Sequence, residues 1–435
     1  MGRVHRRRAA SRRLGDRIAL SRTRPWRWTE WVNVRPPNIL WIVTTQWRAS
    51  ATGYAGDPNA VTPCLDALAA GAVNYTQAVT PHPFGPFARA ALFSGVPSPE
   101  NGVRDYYDGL PVGLRTVARE LSARGYATGF FGKWHLAKRD PATPLVGETA
   151  ARQWVEPAER GGFDFWEGFE GGFMLNDPWL HGTRLVVPTR FAGYQSDVVA
   201  ARARSWLAAE VPWFCVVSLE SPHPPYEEAS AGLRGRRASA LELRPNVPRG
   251  SSVEVRARRE LAGYYGHIAA TDRAIGELLD GLDAARTIVV FTSVHGDMHG
   301  AHGRFRKGWP YEESVRVPLL VRLPGRGAAV DAAAVSLVDL PAMTLAWADG
   351  AAAAVRSAFS KISMPSVVRL PDQCDRVWLG MRSPERKLIF NADGTPWLYF
   401  DLVQDPWEQR NLAADGNFAR EMVALRAQFG GSVPG

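Results

Sequence analysis

Ile39-Leu40-Trp41-Ile42-Val43-Thr44, preceded by Pro37-Asn38, is apolar at every position but the last. An unbroken apolar run of strand length belongs to a strand covered on both faces, which is how the central strands of a parallel sheet read. Downstream, Thr62-Pro63-Cys64-Leu65-Asp66-Ala67-Leu68 offers a threonine N-cap, a proline at the first helical position and apolar residues at helical spacing, so a helix is expected there. The alternation continues with a helix near 114–124, a strand over 127–131, a helix near 197–209, a strand over 213–219, a helix over 256–282 and a strand over 287–293. Strand and helix in alternation predict an α/β fold with a large, mostly parallel sheet flanked by helices, in which ligands gather at the carboxyl ends of the strands. Past about residue 325, the alanine-rich stretch 328–354 reads as helix and loop on the flank. The segment 387–412, with its turn Asn391-Ala392-Asp393-Gly394-Thr395, reads as a small antiparallel C-terminal subdomain. The expected division is a basic extension over 1–35, the α/β domain over 36–325, and flanking helices, loops and the subdomain over 326–435.

The 435 residues are 46% hydrophobic, enough to bury one large core with a smaller appended piece. A net charge of +9 raises the question of a nucleic-acid partner, but much of it sits at one end. Arg3, Arg6, Arg7, Arg8, Arg12, Arg13, Arg17, Arg22, Arg24 and Arg27 face the single acid Asp16. Such a run reads as a disordered, solvated arm, and no nucleic-acid partner is expected. Ile18-Ala19-Leu20 gives way at once to Ser21-Arg22, too short for the core of an export signal, and every apolar run falls short of the ~20 residues of a membrane span. A cytoplasmic protein without a membrane partner is expected. Cys64, Cys215 and Cys374 fall in a helix start, a buried strand and a loop, which suits neither a disulfide framework nor a zinc site.

Several segments, taken in order, carry a family resemblance. Pro37 to Thr44 resembles the opening strand of sulfatases, in the alkaline phosphatase superfamily. Gly125-Tyr126-Ala127-Thr128 running into Gly132-Lys133-Trp134-His135-Leu136 resembles their second signature, and Ser221-Pro222-His223-Pro224-Pro225-Tyr226 a third. His295-Gly296-Asp297-Met298, with Lys307-Gly308 and Tyr311-Glu312-Glu313-Ser314, looks like the segment of their last metal ligands. Leu398-Tyr399-Phe400-Asp401-Leu402, followed by Asp405-Pro406 and Asn411-Leu412, is similar to their C-terminal subdomain. The likeness spans residues 37 to 415 and implies an alkaline-phosphatase-like sandwich.

In that family an oxidised cysteine, formylglycine, attacks the sulfur of a sulfate ester from a Cys-x-Pro-x-Arg motif, while aspartates hold a divalent cation against the sulfate oxygens. The matching segment here is Phe84-Gly85-Pro86-Phe87-Ala88-Arg89. Counting back from Arg89 puts the cysteine position on Gly85, and aligning the Gly-Pro pair puts it on Phe84; neither side chain is a nucleophile. The first strand ends Thr44-Thr45-Gln46 where the family reads Thr-Asp-Asp or Thr-Asp-Gln, and Ser293-Val294-His295 stands for Ser-Asp-His or Ser-Asp-Asn. Thr45 and Val294 therefore replace two ligand carboxylates that a hard cation needs. Neither formylglycine nor a divalent metal is expected as a cofactor.

The resemblance keeps the basic side of the pocket. It implies that Arg89 and Lys133 steady the nucleophile, that His135 is an acid or base, and that His223 and Lys307 contact the sulfate and leaving group. His135, His223 and Lys133 are thus the catalytic candidates, with Arg89, Lys307, His295, Thr45 and Gln46 as substrate-binding residues. Converging lysine, arginine and histidine side chains suit a sulfate, phosphate, sulfonate or carboxylate bound without metal. His299 and His302 read as loop residues, Lys307 shares its loop with Arg304 and Arg306, and Asp297 reads as structural. Thr45 carries a hydroxyl but no obvious adjacent base. Three readings follow: an enzyme using acid–base chemistry on a sulfated, sulfamoylated or other anionic small molecule, favoured because all six basic residues persist; a catalytically dead binding or scaffold protein; and a conventional sulfuric ester hydrolase.

Overall fold

The computed structural model describes residues 36–207, 212–227, 236–351, 353 and 357–429, so the arginine-rich extension 1–35 and the last residues of the helix expected to reach 209 lie outside the described residues. Strand β1, Asn38–Thr44, is buried throughout after its first residue. Ile39, Trp41 and Val43 pack into one apolar cluster and Leu40 and Ile42 into another, as side chains alternating across a sheet must when both faces are covered. Trp41 lies edge-on to Phe214, ring centroids 5.1 Å apart.

The remaining strands are β2 (Val73–Tyr75), β3 (Ala78–Val79), β4 (Ala127–Lys133), β5 (Phe165–Phe169), β6 (Trp179–Gly182), β7 (Thr189–Arg190), β8 (Trp213–Ser218), β9 (Thr287–Ser293), β10 (Leu319–Arg322), β11 (Ala329–Asp331), β12 (Val335–Ser336), β13 (Ser360–Met364), β14 (Trp378–Arg382), β15 (Arg386–Asn391) and β16 (Pro396–Asp401). Ten of them form one sheet in the order β11-β2-β10-β9-β1-β8-β4-β5-β6-β7. Its centre is parallel: β1 pairs with β8 and β9, and β4 with β8 and β5, while β10 runs antiparallel to β9. The carboxyl ends of β1, β4, β8 and β9 therefore open on one edge, and every candidate site residue but Phe84, Gly85 and Arg89, at the start of a helix, lies at or after one of these ends.

The helices are α1 (Pro63–Ala69), α2 (Gly85–Ser94), α3 (Val117–Ser122), α4 (Glu148–Ala151), α5 (Gln195–Arg204), α6 (Ser252–Leu279), α7 (Glu312–Val315), α8 (Leu340–Ala348) and α9 (Ala419–Phe429). Helix α1 begins where the sequence predicts, but Thr62 does not cap it. Its hydroxyl accepts from Gly53 N and donates to Asp66, while the first-turn N–H groups of Cys64 and Leu65 donate to Asp272 of α6 at 3.0 and 2.8 Å. A carboxylate from another helix outcompetes the local hydroxyl, at a helix end where negative charge is favoured. Helix α6 starts four residues before its expected bound because Ser251 accepts from Glu254 N.

The alanine-rich stretch differs from its expected helix and loop: it holds α8 but also supplies β11, which extends the large sheet beside β2. The C-terminal sheet β13-β14-β15-β16 is antiparallel throughout and begins earlier than the segment 387–412. Met381, Leu388, Phe390 and Tyr399 pack there with Met422 of α9. Lys387 ties this sheet to α7 through Glu312 at 2.8 Å and also binds Glu408 at 2.6 Å.

Candidate active site

Above the carboxyl edge of the sheet lies a cavity of about 570 Å³, lined by Thr45, Gly85, Lys133, His135, His223, His295 and Lys307 among others. Arg89, in α2, is fully buried beneath it. Its guanidinium donates to Thr45 Oγ1 at 2.9 Å, to Ser218 Oγ at 2.7 Å and to the Lys133 carbonyl at 3.0 Å, joining the ends of β1, β8 and β4. The structure thus brings Arg89, Lys133, His135, His223, His295, Lys307, Thr45 and Gln46 together. Val294 instead points into the main apolar cluster. Gln46 and His135 both hold left-handed backbone conformations, φ 66° and 57°, which cost of order 1–3 kcal/mol and persist where surrounding contacts fix them.

The site is less cationic than its sequence implies. Lys133 Nζ donates to Glu220 Oε1 at 2.7 Å in a pair with both side chains buried, so one positive charge is already answered. Burial, then the neighbouring Arg139, Lys133 and Arg89, hold His135 well below the ordinary histidine range. His223 and His295 are depressed the same way, first by burial and then by Lys307. Three of the six basic residues are therefore neutral at neutral pH. Lys307 is pushed down to about 7 by burial and by Lys133.

Hydrogen bonds assign the tautomers. His223 Nδ1 lies 2.8 Å from the Pro224 carbonyl, an acceptor only, so it carries the hydrogen and Nε2 is a lone pair that accepts from Lys307 Nζ at 3.3 Å. His295 Nδ1 likewise donates to the Gly296 carbonyl at 2.9 Å, which leaves its buried Nε2 lone pair without a partner among the described residues. Phe173 stacks on His223 with ring centroids 4.5 Å apart and sits 5.0 Å from Lys133 Nζ.

The donor set does not fit a hard divalent cation. Thr45 Oγ1 receives Arg89 and donates to the Leu219 carbonyl, and Gln46 Oε1 receives Lys307 Nζ at 2.9 Å. Asp297, the carboxylate bonded to Gln46, is committed: Oδ2 accepts from Tyr226 OH at 2.8 Å and from Gln46, and Oδ1 from the N–H groups of His299 and Arg306. A cation there would find neutral donors and two positive neighbours where calcium or magnesium takes charged oxygens. This is the structural role expected of Asp297. His299 lies in a turn, as expected of a loop residue, and is buried, its ring against Tyr226 and Tyr264. In the segment that resembles the nucleophile motif, Gly85 opens α2 and Phe84 is its N-cap. A Cβ built on Gly85 would stand 2.8 Å from His135 Nδ1, so the imidazole occupies the space a side chain would need.

Sequence reasoning missed Glu220, Tyr226 and Phe173. Glu220 was within reach, since an acid two residues past β8 falls on the site edge by the rule that located His223. Phe173 had no signal, because the loop after β5 has no periodicity to place it.

The Sulfatase family model matches residues 37–351. The Ulvan-active sulfatase of Formosa agariphila is 33% identical over 90% of this chain and 80% of its own length, and an arylsulfatase of Clostridium perfringens is 26% identical over 90% and 93%. The crystal structure of the putative sulfatase yidJ from Bacteroides fragilis superposes with a TM-score of 0.78 at 24% identity, covering 90% of this chain and 94% of that one. The phosphonate monoester hydrolase of Agrobacterium radiobacter superposes at 0.67 with 21% identity, covering 90% and 96%. With the family model spanning residues 37–351 and a sulfatase relative 33% identical over 90% of this sequence, the chain belongs to the sulfatase family.

Proposed function

We propose that the cavity binds a small molecule through a sulfate, phosphate, sulfonate or carboxylate group and transforms it by acid–base chemistry at His135 and His223, without a formylglycine nucleophile or a divalent metal. The observation that carries this reading is the imidazole of His135 standing where a side chain on Gly85 would lie. Arg89 and Lys133 form the anion floor, and the Nε2 lone pair of His223 is a base ready for a proton. Because the three histidines shed protons on burial, an entering anion favours their protonated forms, and binding is coupled to proton uptake.

The test is calorimetric titration with sodium sulfate, alongside turnover of p-nitrophenyl sulfate and phosphate with and without calcium, magnesium or manganese. Sulfate affinity should strengthen as pH falls from about 8 to about 6, by about tenfold per unit for each proton taken up. No metal-dependent turnover of either ester is expected, and its appearance would restore the conventional ester hydrolase. Product profiles against sulfated and sulfamoylated small molecules then compare His135→Ala and His223→Ala with the parent. Sulfate binding with no turnover of any of them, in the parent or in either variant, would leave a binding or scaffold protein.

A further inference from the structure

The chain has only five lysines, Lys133, Lys138, Lys307, Lys361 and Lys387. Lys133 is held by Glu220, and Lys387 by Glu312 and Glu408. Lys138 and Lys361 are exposed on the surface. Lys307 differs from all of these: it is 8% exposed, it lines the cavity, and its hydrogen-bond partners are two neutral acceptors, Gln46 Oε1 and His223 Nε2. No described carboxylate lies within hydrogen-bonding reach of its Nζ. Two hydroxyls on the lining are tied down, Thr45 Oγ1 donating to the Leu219 carbonyl and Tyr226 OH to Asp297.

We infer that Lys307 is an amine nucleophile that forms an imine with an aldehyde or ketone carried by the anionic molecule bound in this cavity. An amine placed among neutral acceptors, beside a second cation and over the Phe84 ring 5.4 Å away, is in the setting that keeps a lysine unprotonated and reactive. Its depression to about 7 has the same cause. In the step, the Nζ lone pair forms a bond to the carbonyl carbon and the C=O π pair moves to oxygen. The Nε2 lone pair of His223 takes an N–H proton, and the oxygen leaves as water after receiving that proton and a second one from solvent. The nitrogen lone pair closes the C=N bond as that water leaves, and loss of the remaining N–H proton gives the neutral imine, so one water is released and no oxidant or reductant is needed. The inference rests on the anion-binding reading of the same cavity and narrows its substrate class.

The probe is 4-formylbenzenesulfonate, with 4-methylbenzenesulfonate as its non-electrophilic partner. The full chain is incubated with the aldehyde at neutral pH, treated with borohydride, and mapped by peptide mass. A single borohydride-dependent adduct on Lys307 is expected, suppressed by excess 4-methylbenzenesulfonate and absent in both Lys307→Arg and Lys307→Met. Labelling should accelerate as pH rises through about 7 and then level. Adducts confined to Lys138, Lys361 or the chain terminus, or no adduct, while 4-methylbenzenesulfonate still binds by calorimetry, would overturn the amine's role and leave the anion site standing. Failure of both compounds to bind would instead overturn the anion reading. The peptide map of the parent chain decides the matter even where a variant folds poorly.

Discussion

Glu220 sets the sign of the site. Its carboxylate holds Lys133 Nζ at 2.7 Å with both groups buried, and Gln195 Nε2 donates to its second oxygen at 3.1 Å. Removing one member of a buried pair leaves the other charge uncompensated, at a cost of about 3–5 kcal/mol. Glu220→Gln should therefore lower the free energy of unfolding by about that much in urea titrations, while sulfate affinity rises, because the anion becomes the partner of Lys133. Weaker sulfate binding in that variant would mean that Lys133 does not face the ligand. Gly85 gives the opposite pattern. Alanine improves helix propensity by up to about 1 kcal/mol, whereas its Cβ forces the His135 ring aside. Gly85→Ala should melt within a few degrees of the parent, yet bind sulfate only as well as His135→Ala; full affinity would show that the ring can move without loss.

At the scale of elements, the site depends on how α6 meets the loop after β8. Gly263 lies mid-helix, where glycine is normally a liability, and a Cβ there would overlap the carbonyl oxygen of Tyr226. The helix gives up propensity so that the segment carrying His223 and Tyr226 can lie against it. Gly263→Ala should thus lose stability despite the better helix former, by more than the roughly 1 kcal/mol that propensity returns, with sulfate affinity falling as His223 is displaced. Thermal melts and calorimetry on one preparation check both. This packing also marks what could be read in advance. Strands β1, β8 and β9 were legible because burial on both faces forces nearly continuous apolar runs, and most of the site residues followed because they come at or after strand ends. The Asp272 cap of α1, the edge strand β11 and the stacking of Phe173 on His223 arise from contacts between segments far apart in sequence, and no local pattern encodes them. The protonation of the site was hidden for the same reason: a histidine in a sequence carries no sign of how deeply it will be buried.

Over the whole molecule, burial of neutral histidines makes stability depend on pH. His82, His181 and His267 are each held near 4, burial being the main cause. His82 shows the mechanism: Nδ1 faces the Ser363 carbonyl at 3.2 Å, so it carries the hydrogen, and Nε2 accepts from Ser98 N at 2.8 Å, a bond that protonation would destroy. His267 is placed similarly, Nε2 against the Pro225 carbonyl at 3.1 Å and Nδ1 against Tyr194 OH at 2.9 Å. Because the folded value lies below the unfolded one, about 6.5, the unfolded chain takes up the proton first. The stabilisation is full above about pH 6.5 and is lost as pH falls toward about 4. By about pH 5 each such histidine costs about 2 kcal/mol, and three of them approach the 5–15 kcal/mol typical of a whole domain. The melting temperature should be level near neutrality and fall steeply below about pH 6.5, and His82→Gln should flatten that fall by the share of one proton. Melts of both proteins from about pH 7.5 to about pH 5 provide the measurement, and a melting temperature that stays level across that range would show these imidazoles to be solvated.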